Sequence, residues 1–139
     1  MPANTTPIFT LNGNFTPARI AAANTASDGS GALVTVVTAG ANGSRVDGVR
    51  FRNSQVTAAT SSAMVHRIFL SDTGGTNYRL IGEVATATAT RSATAVGATS
   101  IFTFDQPIIM ESGQIMAVCQ SVYAGAQDQF DATAYAGDY

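Results

Sequence analysis

One histidine, one cysteine and nine scattered carboxylates, besides abundant Ser and Thr, are what this sequence offers for acid–base, nucleophilic or metal chemistry. Nucleophilic hydrolysis needs a nucleophile, a base beside it and a third group to orient the base. His66 stands in AMVHRIFLS, sharing a face with Met64, Ile68 and Leu70. That setting reads as a histidine at the rim of a core, not a base on a loop. Cys119 lies among Ile115, Met116 and Val118 and reads as a small buried hydrophobe. Glycoside chemistry needs two carboxylates that converge. Asp28, Asp72, Asp105 and Glu111 stand singly at turns. Asp128 and Asp131 form a close pair, but an odd separation along a strand sends two side chains to opposite faces. Calcium would need a loop dense in oxygen ligands, and the SDGSG and DTGGT stretches are turns without the lysine of a phosphate-binding loop. The sequence therefore assigns no catalytic, metal or cofactor-binding residue, and we expect a protein that is not an enzyme and carries no cofactor.

The elements around these residues read as strands. From Phe15 onward, short apolar stretches alternate with turn signals every ~8–12 residues, the spacing of a sandwich or barrel. Strands are expected over 19–23, 32–39, 45–53, 63–71, 77–85, 100–105 with a continuation at 108–110, 114–123 and 129–136. ALVTVVTA and QIMAVCQSVY are apolar on both faces and suggest central strands, whereas RVDGVRFRN alternates, with Val49 and Phe51 on one face and Arg50 and Arg52 on the other. Asn42-Gly43 carries a hairpin signal and Asp72–Gly75 a second. No segment shows a capped helical period. The expectation is all-β: a single-domain antiparallel β-sandwich of about eight strands, jelly-roll-like, over residues 17–139.

Composition restricts function further. The 139 residues suit one domain, with 45% hydrophobic and only 12% charged residues and a net charge of −2. The charged share is about half the usual globular value, so the polar surface is built of Thr, Ser, Asn and Gln, as befits a subunit packed against other chains. All basic residues are Arg, which suits planar pairing at interfaces, although a GC-rich genome would give the same bias. No basic stripe points to nucleic acid, no apolar run could span a membrane, and MPANTTPIF lacks the features of a signal peptide.

Contact residues must then be sought at the ends and edges. Residues 1–16 read as an extended N-terminal arm, with Ile8, Phe9, Leu11 and Phe15 able to reach a neighbour; the alternative is a first edge strand. Tyr135 and Tyr139 lie near the other chain end, where aromatic residues often anchor an interface. The segment VATATATRSATAVGAT (84–99) reads as an extended strand leaving the sheet, turning near Arg91–Ser92 and returning toward Ile101. Its small side chains suggest a flat edge open to another subunit through Thr86, Thr88, Thr90 and Arg91.

With the strands in place, RIAAANTASDGSGALVTVVTAGANGSRVDGVRFRNS, MVHRIFLSDTGGTNYRLIGEVAT and the closing DATAYAGDY together resemble a family of small virion proteins of tailed bacteriophages. The resemblance covers about residues 18–139, and AGANGSRVD is its most specific part. It implies a structural protein of the virion made in the host bacterial cytoplasm, often a head decoration or capsid cement protein. Such a protein binds the major capsid protein on the outside of the shell as a dimer or trimer and stabilises it, without contacting nucleic acid or membrane. A tail, neck or fibre-base location is the alternative, followed by a carbohydrate-binding surface module.

Overall fold

A computed structural model describes residues 9–55 and 58–139. These form β1 (Asn12–Gly13), β2 (Ala18–Ile20), β3 (Val34–Thr38), β4 (Ser44–Asn53), β5 (Met64–Leu70), β6 (Arg79–Thr86), β7 (Thr99–Met110), β8 (Ile115–Gln120) and β9 (Phe130–Asp138), with a 3₁₀ turn at Ala126–Asp128. There is no α-helix among the described residues. The front sheet runs β1-β9-β4-β7, with β2 also on β9, and the back sheet runs β3-β8-β5-β6. Partners nest inward along the chain: β2 with β9, β3 with β8, β4 with β7 and β5 with β6, all antiparallel. A long hairpin rolled across two sheets in this way is a jelly roll.

The core lies between the sheets because alternation along each strand sends one set of apolar side chains inward. The front sheet contributes Val46, Val49, Phe51, Phe130 and Ala132, and the back sheet Val36, Val37, Ile68, Met116 and Val118. Burying one of the larger side chains contributes roughly 2 kcal/mol, so a handful of them outweighs any surface ion pair. Phe102 and Phe104 both turn inward from β7, their rings 5.1 Å apart edge to face. The Phe102 ring rests on Gly82 of the opposite sheet, where a Cβ would come within 2.8 Å of ring atoms.

Two sequence expectations need correction. First, Asn42-Gly43 does not make a hairpin, because β3 and β4 lie in different sheets. A two-residue type I′ turn needs positive φ at both positions, and only Gly43 of the two has it (92°). The ten residues of β4 find long partners in β9 and β7, where the five-residue β3 could pair only half of them. Second, β3 is an edge strand, not a central one. A bulge between Thr35 and Val37 turns Val36 and Val37 both inward, which gives the sequence its two-sided apolar look. The ladder break at Pro107 and its resumption over Ile108–Met110 are as expected, and both fall within the single strand β7. Register slips between Thr103 and Ile108, so Pro107 sits in a bulge on an edge strand, where no ladder partner needs its missing N–H.

Two of the stretches that carry the resemblance, AGANGSRVD and DATAYAGDY, meet at one end of the sandwich. Gly43 N–H closes a turn on Gly40 O (3.0 Å), and Ser44 Oγ accepts from Gly40 N–H (3.0 Å) while donating to Asp138. Tyr139 N–H donates to Gly43 O (3.2 Å), and Asn42 Nδ2 donates to Tyr139 O (3.3 Å). Asp138 Oδ1 also accepts from Asn14 Nδ2 (3.0 Å), tying in the chain just after β1. AGANGS and AGDY thus form one clasp that fixes both the β3–β4 crossover and the end of β9.

Candidate functional site

His66 is wholly buried. Its ring stacks on Phe51 (centroids 4.3 Å apart, 16° between planes) and meets the Phe130 ring at 4.7 Å edge to face. Its Nδ1 lies 2.8 Å from Thr86 Oγ1, which in turn lies 2.6 Å from Ser100 Oγ. Burial pushes the imidazole pKa down to about 4, so the ring is neutral at ordinary pH. Enclosed on all sides, it packs as a core residue. Cys119 is likewise buried, with Sγ 3.6 Å from Asn24 O, and burial raises its thiol pKa. Asp128 is buried and accepts from Ser62 N–H (2.7 Å), Ser62 Oγ (3.0 Å) and Ala124 N–H (2.8 Å), joining two loops. Asp131 points out from β9 to Arg19 (3.1 Å), so the two carboxylates do not converge. No group of three or more His, Cys, Asp or Glu side chains converges among the described residues.

The surface offers more. Within the arm over 1–16, Ile8 lies outside the described residues. The segment that follows pairs with β9: Leu11 N–H donates to Asp138 O (2.7 Å), Asn14 N–H to Ala136 O (2.9 Å), and Asn12 and Gly13 oppose Asp138 and Gly137. The pairing fixes the backbone but leaves the side chains in water. Phe9 is 73% exposed, Leu11 78% and Phe15 60%. With Tyr135 and Tyr139 they line a groove of about 540 Å³, bordered by Arg45 and Asp47 of β4. Five of the contact residues expected from the sequence are therefore neighbours in space, drawn from opposite ends of the chain.

The Ala/Thr segment behaves differently from the edge strand expected of it. The strand ends at Thr86, and residues 87–98 carry the chain from the back sheet across to the front. A turn at Ser92–Ala95 (Ser92 N–H to Ala95 O, 3.0 Å) reverses it close to the expected place. Thr86 faces inward, bonded as described, and serves the core. Thr88 is exposed, while Thr90 pairs with Thr60 across a one-residue bridge, their hydroxyl oxygens 2.7 Å apart. Arg91 Nη1 donates to Asn53 O (3.2 Å) and Gln55 O (2.8 Å), which anchors the connection to the end of β4.

That anchor completes a feature the sequence did not reveal. On the outer face of the front sheet, Arg19 of β2 and Arg52 of β4 both oppose Asp131 of β9, and Arg50 opposes Thr133. With Arg91 they line a groove of about 450 Å³ containing four guanidinium groups and one carboxylate. Arg50 and Arg52 make no ion pair among the described residues. Alternation along RVDGVRFRN placed these two on one outward face, but Arg19 and Arg91 join them only through the sheet order and the crossover. Ile101, which opposes Arg50 on β7, and Ile109, which opposes Arg45, are 52% and 60% exposed on the same outer face. The front sheet thus presents an aromatic groove, an arginine groove and exposed aliphatic side chains on one side of the molecule. The chain matches no protein-family model, no curated protein and no solved structure.

Proposed function

We propose that this chain is a non-enzymatic structural protein of a tailed-bacteriophage virion, a capsid decoration protein that binds the outside of the shell and stabilises it. The observation that carries the reading is the one-sided placement of exposed apolar side chains. Of eight large hydrophobic side chains exposed among the described residues, Phe9, Leu11, Phe15, Ile101, Ile109 and Tyr135 all belong to the front sheet or the segment paired with it. Exposed apolar groups scattered singly need no explanation, whereas a group gathered on one side marks an interaction surface. The resemblance of AGANGSRVD and DATAYAGDY to phage virion proteins supports the major capsid protein as the partner, with homo-oligomers as the bound form.

The mechanism is additive. Each copy laid across a junction between capsid subunits removes apolar surface from water on both, at about 25 cal/mol per Å² before the cost of docking. Repetition over the shell multiplies a modest contact, since subunits bridged on several sides must break several contacts to separate. The triple variant Phe9→Ser, Leu11→Ser, Tyr135→Ser tests this, because these side chains are exposed and contribute little to the core. Added to undecorated shells, it should bind roughly tenfold or more weakly than the wild type while keeping the wild-type circular dichroism spectrum. Wild-type occupancy by the folded variant would contradict the assignment of this surface.

A further inference from the structure

We propose that the arginine groove is a docking site for an acidic segment of the partner protein, two of whose carboxylates engage Arg50 and Arg52. The inference rests on the reading of this chain as an interface protein and adds the chemistry its partner must carry. The charge balance supports it first. All nine carboxylates of the chain fall within the described residues, since residues 1–8 and 56–57 contain none. Asp47 is paired with Arg45, Glu83 with Arg67 and Asp131 with Arg19. Asp28 and Asp72 accept from their own loops, Asp128 from Ser62 and Ala124, and Asp138 from Ser44 and Asn14. Asp105 and Glu111 lie on β7 and the turn after it, and neither lines the groove. Arg50, Arg52 and Arg91 therefore keep uncompensated charge, and Arg91 is already held in place by two neutral carbonyl groups.

Spacing supplies the second argument. Arg50 and Arg52 project from alternate positions of β4, about 7 Å apart on one face. An extended segment with acidic residues at alternate positions has the same repeat, so two carboxylates can meet two guanidinium groups in register, each pairing in the bidentate mode that Arg favours. Asp131 fixes Arg19 at the rim and limits the groove to a short acidic stretch. A nucleic acid fits less well. It carries charge along its whole length, and its affinity grows with the number of phosphates neutralised. Here four of the seven arginines line one short groove while Arg45, Arg67 and Arg79 lie outside it, and eight of the nine acids lie elsewhere on the chain.

Labelled short peptides of alternating Glu and Thr, or Gln and Thr, titrated into the full chain test the proposal, with an oligothymidylate of matched charge as third probe. The Glu peptide should bind, shift the Nε–Hε resonances of Arg50 and Arg52, and weaken as salt is raised. The Gln peptide should not bind, and the oligothymidylate should bind more weakly than the Glu peptide. Arg50→Gln with Arg52→Gln should weaken the Glu peptide roughly tenfold, whereas Arg79→Gln, outside the groove, should leave it unchanged. Equal binding of Glu and Gln peptides, an unaffected double variant, or tighter binding of the oligothymidylate would overturn the proposal. A chain that takes the Glu peptide but never adds to capsid shells would instead contradict the decoration reading and leave the groove's chemistry standing.

Discussion

His66 shows how a residue type suited to catalysis becomes a structural one through its surroundings. Between the Phe51 and Phe130 rings the imidazole cannot be charged without losing its hydration, so it stays neutral in the fold until about pH 4. In the unfolded chain it takes up a proton near pH 6.5. Between those values the unfolded state binds the extra proton, so stability is fully present above about pH 6.5 and declines as the pH falls. The loss amounts to about 3 kcal/mol by pH 4. Asp28 and Asp72 act in a separate window. Hydrogen bonds from Ser30 and from Thr76 and Asn77 hold their carboxyls below 3.8, so their contribution is present above that value and lost only at lower pH. Urea unfolding from pH 7 to 4.5 should show a falling midpoint for the wild type and a nearly flat one for His66→Leu. Parallel curves for the two would show that the loss arises elsewhere.

At the scale of elements, the clasp between the Gly40–Ser44 turn and the end of β9 decides where the chain changes sheets. Ser44→Ala removes a buried acceptor from Gly40 N–H and a donor to Asp138 without changing the backbone. It should cost about 1–3 kcal/mol and speed amide exchange at Leu11 and Asn14, whose pairing with β9 depends on the same corner. Unchanged exchange at those two amides would separate β1 from the clasp. This corner also marks how far the sequence could be read. The strands at 63–71 and 77–85, their hairpin at Asp72 and the central strand within 114–123 were legible because periodicity and turn chemistry are local. The sheet crossing at Asn42-Gly43 was not, since the choice of β9 and β7 over β3 as partners of β4 depends on residues far along the chain. The Ala/Thr segment was legible as an extended excursion with a turn near Ser92, but not as a crossover. Small side chains suit either role, and only the position of β7 in the other sheet distinguishes them. The arginine groove was hidden for the same reason: two of its members alternate along one strand, and the other two arrive through topology.

Across the whole molecule, both sheets of the jelly roll supply the core, while the outer face of the front sheet carries exposed aromatic and aliphatic side chains together with Arg50 and Arg52, which make no ion pair among the described residues. A fold with one such face is suited to assembly, and the aromatic and arginine grooves offer that face two kinds of contact. Whether the chain covers a capsid shell, as proposed, is decided by quantitative mass spectrometry of purified virions that counts its copies per particle against the major capsid protein. A decoration protein should be present in on the order of hundreds of copies, in a fixed ratio to the capsid subunits set by icosahedral repetition; a count on the order of ten, as in a tail or neck ring, would rule that role out.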